Sequence, residues 1–237
     1  MRGLVQVYAG HKGAQMTRIW TVTALVTLVA VALLNGGAYA AGCKVAVLLD
    51  GRTARVGEST LGDFVADAAR AALGADVALI QASQLRGDSI PVGELDEECM
   101  QKTLLYPDEP LVLTQMTGST LLDALERSLS ALPQPNPGFL QVSGLVATYR
   151  QTDPAGHRVV SVTVGGEQLN PSKTYSVVMP SSLSKGAMGY FRVFENLKAK
   201  PGSPSPSLSE AAVQYVRTHS TISITPGQRL QGLAKSK

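Results

Sequence analysis

The chain has 237 residues, of which 44% are hydrophobic and 16% charged, the balance of a globular protein with one sizeable core. Its formal net charge is +3, but residues 1–40 carry three of the 21 Lys and Arg and none of the 18 Asp and Glu, so the remainder balances at 18 against 18. A neutral chain lacks the basic surface that binds nucleic acid or an anionic membrane, so neither is an expected partner.

The segment 1–40 has the pattern of a secretory signal peptide. A basic stretch precedes an uncharged apolar run of 16 residues, Ile19 to Leu34, and the small-residue triplet Ala38-Tyr39-Ala40 follows. Such a run is marginal for spanning a bilayer, and the triplet predicts cleavage after residue 40. Whether translation begins at Met1 or Met16, we expect the mature chain to be residues 41–237, exported to the periplasm or beyond, with no transmembrane span.

The chain has two cysteines, Cys43 and Cys99. In an oxidising compartment a pair of thiols is more often bridged than free, which predicts a disulfide between them. The alternative is a lipid anchor, because Ala40-Ala41-Gly42 before Cys43 resembles the small residues that precede a lipidated cysteine.

The first half of the mature chain alternates strands and helices. The residue pattern predicts strands over Lys44–Leu49, Asp76–Gln81 and Pro110–Met116, and helices over Ser59–Gly74, Leu95–Leu105 and from Gly118 through Leu129. Ser59 or Thr60 can cap the first helix, Gly74 ends it, and Pro91-Val92-Gly93 marks a loop. This order predicts an α/β core.

After Pro133, Pro135 and Pro137, the spacing of hydrophobic residues changes from the 3.6-residue period of a helix to the 2-residue period of a strand. Val160, Val162 and Val164 fall on one face of a predicted strand, and Gly165-Gly166 predicts a tight turn. Tyr175, Val177 and Met179 alternate in another predicted strand, and Ser209–His219 predicts a last helix with Ala212, Val213 and Val216 inward. Helix-strand units followed by hairpins predict one compact α/β (α+β) domain with a mixed sheet.

Several collinear segments resemble the C-terminal domain of the 5'-nucleotidases and UDP-sugar hydrolases. Glu58–Ala68 is similar to that family's E-S-N-L-G-N-x-x-A-D-A helix, Leu85–Glu94 to I-R-A-D-I-P-x-G-E, and Gln141–Leu145 to Q-V-S-G-L. Leu111–Leu129, Val159–Val178 and Tyr215–Arg229 resemble its strand-helix unit, hairpin and closing helix with a terminal arginine. The resemblance implies this domain's fold and a role associated with nucleotide catabolism.

In that family a separate N-terminal domain holds two metal ions on His, Asp and Asn ligands. The mature chain has only two histidines, His157 and His219, and no Asp-x-His or Gly-Asn-His motif. A two-metal hydrolase needs about half a dozen such ligands. We therefore expect no catalytic residue, metal or cofactor in this chain, and no activity of the chain alone.

The resemblance assigns substrate contacts to two arginines and two aromatic rings. Arg55 and Arg86 stand at the family's arginine positions. Tyr106 lies beside the position of the first ring, and the position of the second ring is Ser182, eight residues before Tyr190. The predicted substrate-binding residues are therefore Arg55, Arg86, Tyr106 and Tyr190.

Two of the family's binding features have changed. The acid that contacts the ligand is replaced by Met188, and the family's glycine-rich turn is Gln81-Ala82-Ser83-Gln84. The arginines have an alternative interpretation, in which they stabilise the fold through carboxylates such as Asp63 or Asp88.

Three functional hypotheses follow. The first is a non-catalytic binding or accessory module for a nucleotide-like, phosphorylated or sugar-bearing small molecule. The second is one half of a split enzyme that docks on a separate metallophosphoesterase and completes its substrate site. The third is a structural domain that has lost its ligand site.

Overall fold

The structure is a computed structural model that describes residues 43–95, 97–197 and 205–234; the predicted signal peptide lies outside these ranges. The helices in this part of the chain are α1 Thr60–Leu73, α2 Glu97–Thr103, α3 Gly118–Leu129, α4 Ser181–Ser184 and α5 Leu208–Thr218. The strands are β1 Cys43–Val45, β2 Leu49–Asp50, β3 Val77–Gln81, β4 Ser89–Ile90, β5 Gly93–Leu95, β6 Leu111–Thr117, β7 Leu140–Ser143, β8 Leu145–Tyr149, β9 Val159–Val164, β10 Glu167–Gln168, β11 Thr174–Pro180, β12 Thr221–Ile222 and β13 Leu230–Gly232.

A mixed four-stranded sheet in the order β6-β11-β3-β7 forms the centre of the fold. β11 runs parallel to β3 and antiparallel to β6, and β3 runs antiparallel to β7. All five residues of β3, including the polar Gln81, are buried, and β3 lies within the predicted strand Asp76–Gln81. A mixed α/β architecture is therefore confirmed.

Helix α1 packs against β3 and β7 and begins and ends as its sequence predicts. The Ser59 hydroxyl accepts a hydrogen bond from the Gly62 N–H (3.1 Å) at the N-terminus. Gly74 adopts the left-handed conformation (φ 58°) at the C-terminus, which a residue with a Cβ adopts at a cost. Helix α5 packs on α1, with the Tyr215 ring edge-on to Phe64 at 5.9 Å.

A second four-stranded sheet has the order β10-β9-β8-β13. Its strand β8 begins two residues after β7 of the first sheet ends. Gly144 separates β7 from β8 with φ 80°, and a Cβ there would lie 2.0 Å from the Asp76 carbonyl oxygen. Only glycine allows this bend. Gly165 and Gly166 form the predicted turn between β9 and β10, both with positive φ.

Four local predictions were wrong in detail. Lys44–Leu49 is two strands, because β1 pairs with β12 and β5 while β2 pairs with β4. Residue 93 already begins β5. Val160 is 44% exposed because the register of β8 and β9 shifts beside it, whereas Val162 and Val164 are buried as predicted. The predicted alternation leaves Val178 on the opposite face from Val177 and Met179. Val178 is nevertheless buried like those two neighbours, because β11 lies between β6 and β3.

Candidate ligand-binding face

The turn after β3 is held on both sides by backbone hydrogen bonds. Gln81 ends β3, and residues 82–84 form one 3₁₀ turn. On one side, the N–H groups of Ala82 and Ser83 donate to the carbonyls of Phe139 and Pro137, both at 2.8 Å. On the other side, the Leu105 N–H donates to the Gln84 carbonyl at 2.7 Å. This turn therefore joins the 133–139 loop to the segment after α2.

Two of the predicted residues lie on the segments that meet at this turn. The Arg86 N–H donates to the Thr103 carbonyl (2.9 Å), and Arg86 Nε donates to the Leu104 carbonyl (3.0 Å). Tyr106 follows two residues later with 55% of its surface exposed. The Arg86 side chain is exposed, and its terminal nitrogens make no hydrogen bond or ion pair with the described residues. A guanidinium and an aromatic ring thus lie on adjacent segments, both open to solvent.

Arg55 reaches the same region through the 133–139 loop. Its carbonyl accepts a hydrogen bond from the Asn136 N–H at 2.8 Å, and its side chain is exposed. The buried Asn136 side chain donates to the Ser128 carbonyl and accepts from the Gly138 N–H, both at 2.9 Å, which fixes the loop. Neither Arg55 nor Arg86 forms an ion pair with a described carboxylate, so the alternative pairing with Asp63 or Asp88 is absent from the described part of the chain.

Tyr190 is not on this face but in the core. Its side chain is fully buried, its hydroxyl donates to the Gly138 carbonyl at 2.7 Å, and its ring stacks on Phe194 with the centroids 5.4 Å apart. The Arg127 guanidinium covers the ring at 5.6 Å, and burial raises the pKa of the phenol. A ring enclosed in this way has no face for a base, so Tyr190 instead supports the loop that holds the 82–84 turn.

Two buried glutamines, which were not among the predicted site residues, complete the region. Gln81 Nε2 donates to the Ser182 hydroxyl at 3.2 Å, while Gln81 Oε1 and Gln84 Oε1 are buried with no donor among the described residues. The Ser182 N–H donates to Glu109 Oε1 at 2.6 Å. A buried amide oxygen normally accepts a hydrogen bond. The departure from the family's glycine-rich turn was the signal that marked these positions.

A second polar cluster surrounds the terminal arginine of the resemblance. Arg229 donates to both oxygens of Asp67, at 2.9 and 2.8 Å, and also to the Val142 carbonyl at 2.8 Å. Glu58 accepts the N–H groups of residues 228–230 at 2.6 to 3.0 Å. Arg229 therefore joins α1, β7 and the segment that precedes β13, which is a structural role.

Asp63 lies inside this cluster with both carboxylate oxygens buried and lacking a donor. Its pKa is raised to about 8, mainly by burial; Arg229 opposes the shift, and the neighbouring Glu58 adds to it. Arg229 Nε is 3.6 Å from Asp63 Oδ1, a distance that would suit an ion pair. We treat Asp63 as neutral at pH 7, because Asp67 already neutralises Arg229 at the shorter distance of 2.8 Å.

The described ranges contain no group of three or more His, Cys, Asp or Glu side chains that could hold a metal ion. His157 is exposed, and His219 stacks on Tyr215 with its Nδ1 2.8 Å from the Tyr215 carbonyl. The residues in these ranges therefore do not fit a two-metal centre. No helix in the described ranges is long and apolar enough to cross a membrane.

Cys43 and Cys99 are both thiols in the structure. Cys43 is buried on β1, and burial raises the pKa of its thiol. Cys99 lies half-buried on α2. The disulfide and the lipid anchor both stay predictions.

Residues 29–196 match the model of a protein family described as "5'-nucleotidase, C-terminal domain". Over 160 residues the chain is 31% identical to the trifunctional nucleotide phosphoesterase YfkN of Bacillus subtilis, a match covering 61% of this chain and 10% of that protein. Over 193 residues it is 27% identical to an apyrase of Anopheles gambiae, covering 76% of this chain and 32% of the apyrase.

The fold is similar to that of a 5'-nucleotidase precursor from Thermus thermophilus. The TM-score is 0.74 at 26% identity, and the match covers 92% of this chain and 44% of that one. The NAD nucleotidase of Haemophilus influenzae shares the fold alone, with a TM-score of 0.71 at 19% identity. The chain spans less than half the length of each of these relatives.

Proposed function

The chain belongs to the 5'-nucleotidase C-terminal domain family, and from that premise we propose that it is an exported, non-catalytic binding or accessory module. Its ligands in this proposal are nucleotides or related phosphorylated or sugar-bearing small molecules.

The observation that carries the proposal is a pair of exposed arginines that have no carboxylate partner among the described residues, on segments that hydrogen bonds join to the 82–84 turn and to the segment that holds Tyr106. Arg55 and Arg86 are exposed on segments that hydrogen-bond to the loop and turn described above, and Tyr106 follows the Arg86 contact. A guanidinium not already used by a carboxylate remains available to a phosphate. A phenol ring can stack on a flat base. Together these groups suit a ligand that has both an anion and a ring.

The non-catalytic part of the proposal is supported by the residues available for chemistry. The family's hydrolysis requires a two-metal ligand set, and no described cluster in this chain fits one. The only acid buried without a donor, within the described ranges, is Asp63, which lies with Arg229 and Glu58 in the structural cluster. Binding, rather than bond cleavage, is therefore the role that we propose for the described residues.

Amide NMR of the purified protein, titrated with AMP, adenosine and UDP-glucose, tests the proposal. With one stack and one charge-assisted contact available, we expect dissociation constants on the order of 0.1 to 10 mM. Shifts should be confined to the 82–86 turn, Arg55 and Tyr106, and AMP should bind more tightly than adenosine because the phosphate adds the arginine contact.

Arg86→Gln should weaken AMP binding about tenfold and leave adenosine binding nearly unchanged. Arg192→Gln is the matched control, since Arg192 is exposed, its guanidinium lies 5.7 Å from the centroid of the Phe191 ring, and the substitution removes the same charge. A flat response to all three ligands at several times the expected dissociation constants would contradict retained binding and favour the structural hypothesis.

A second candidate is the substrate-binding half of a split enzyme, which two exposed apolar side chains favour. Phe191 is 61% exposed and Met188 40% exposed, and they lie in one loop after α4. An exposed apolar pair of this kind is suited to docking on a separate metallophosphoesterase. AMP hydrolysis that needs both chains, and that Phe191→Ser abolishes, would support this candidate over the first.

A further inference from the structure

A cavity of about 420 Å³ lies away from the proposed ligand-binding face. Its walls come from α1, the β7–β8 junction, the β9–β10 turn and residues 228–229, and the side chains with charge on the wall are Asp67, Arg70 and Arg229. None of Arg55, Arg86 or Tyr106 lines it.

Two of these three charged side chains already form an ion pair with each other. Asp67 Oδ1 accepts from the Ser143 hydroxyl (2.6 Å) and from Arg229 (2.9 Å), and Asp67 Oδ2 accepts from Arg229 (2.8 Å). Arg229 Nη1 also donates to the Asp63 carbonyl (3.3 Å) and the Val142 carbonyl (2.8 Å). This pair is neutral and largely satisfied within the protein.

Arg70 is the remaining charge on the wall, and its side chain makes one hydrogen bond within the described part of the chain. Its Nε donates to the Ser143 hydroxyl at 2.7 Å, which fixes the side chain toward the cavity wall. Its two terminal nitrogens have no hydrogen-bond acceptor and no carboxylate within ion-pair distance among the described residues. The cavity therefore carries one net positive charge on a half-buried, oriented guanidinium.

The backbone beside Arg70 makes room for that side chain. A Cβ at Gly144 would lie 3.0 Å from Arg70 Cδ, so glycine lets the arginine stem lie close to the β7–β8 junction. Across the cavity, the turn residues Gly165 and Gly166 also present backbone without a side chain. A small ligand can thus contact both the guanidinium and the main chain.

We propose that this cavity is a second ligand site, which binds a small oxyanion through the terminal nitrogens of Arg70. A guanidinium fork matches two oxygens of a carboxylate or a phosphate in one plane. The site goes beyond the proposed nucleotide face and does not depend on it, because no residue is shared between the two.

The test is an amide NMR titration of the purified protein with inorganic phosphate and, separately, with succinate, at constant ionic strength. The expected result is a saturable shift of the Gly144, Gly165 and Gly166 amide signals by at least one of the two anions, with a dissociation constant on the order of 1 to 10 mM. A response to phosphate alone, or to succinate alone, identifies which oxyanion the site takes.

Arg70→Gln should weaken this binding at least tenfold, Arg70→Lys should retain part of it, and Arg192→Gln should leave it unchanged. The spectrum without ligand shows whether each variant is folded, and the wild-type titration stands by itself if Arg70→Gln is not. Absence of saturable shifts at these glycines with both anions would overturn the proposal. Equal binding by folded Arg70→Gln would overturn it as well.

Discussion

Arginine side chains in this chain differ in what their guanidinium groups contact, and that difference separates structure from function. Arg229 donates to Asp67 and to the Asp63 and Val142 carbonyls, and Arg127 donates to the carbonyls of Met188 and Gly189. Arg55 and Arg86 have no carboxylate partner in the described ranges and are open to solvent. Arg229 and Arg127 stabilise the fold through these contacts, whereas Arg55 and Arg86 remain available to an anionic ligand.

A buried acid replaces an amide in the helix motif, and this change makes stability depend on pH. Asp63 stands where the family's motif has Asn, and burial raises its pKa to about 8. Its pKa in the folded state exceeds the unfolded value. The contribution of Asp63 to the free energy of unfolding is therefore fully present below about pH 4 and is lost as the pH rises to about 8. The loss is up to about 1.4 kcal/mol per pH unit across that window.

Asp63→Asn should remove this pH dependence. Between pH 5.5 and 7.5, the free energy of unfolding of the wild type should fall by about 2 kcal/mol relative to that of the variant. Urea denaturation at the two pH values measures the difference. Asp123→Asn is the control, because Asp123 is an exposed acid on α3 and the substitution removes the same charge. Parallel pH profiles for the wild type and Asp63→Asn would show that Asp63 is ionised in the folded protein.

At the scale of elements, local patterns predicted those structures that local interactions determine. Helix α1 could be bounded from Ser59 and Gly74, because a cap acts within one turn of the chain. The burial of Tyr190 could not be predicted, because it depends on the 133–139 loop about fifty residues earlier in the chain. The break in the first predicted strand likewise depends on partners from distant segments, β12 and β4.

Some residues of the candidate site could likewise be predicted from the sequence, and others could not. Exposed Arg55, Arg86 and Tyr106 were identifiable by resemblance, because their positions follow short motifs. Gln81 and Gln84 became candidates only when the fold buried their amide oxygens without a donor. Burial of this kind arises from packing between β3, the 133–139 loop and the segment after α2.

The pairing of β1 with β5 places the strand that holds Cys43 beside the segment that leads to Cys99. Cys43 lies opposite Leu95, and α2, which holds Cys99, begins two residues after Leu95. We predict that exported protein contains a disulfide between Cys43 and Cys99, which would stabilise the fold by on the order of 4 kcal/mol through the loop it closes. Mass analysis without reductant should find the two peptides joined. A diacylglycerol mass on Cys43 would instead establish the lipid anchor.

At the scale of the whole molecule, the chain matches 44% of the Thermus thermophilus structure and lacks, in its described ranges, a cluster suited to two metals. The proposed function is nucleotide binding without hydrolysis. Binding and hydrolysis of AMP can be observed in one experiment, because the bound ester and free phosphate give separate phosphorus signals.

That measurement is a ³¹P NMR titration of AMP with the purified protein in the presence of Zn²⁺, repeated with a chelator. If the proposed function is right, the AMP signal shifts progressively as protein is added, Arg86→Gln weakens that shift, and no inorganic phosphate signal grows over hours. Phosphate release that scales with protein and stops with the chelator would contradict the non-catalytic assignment, once a contaminating phosphatase is excluded. An unshifted AMP signal at millimolar concentrations of both partners would contradict the binding function.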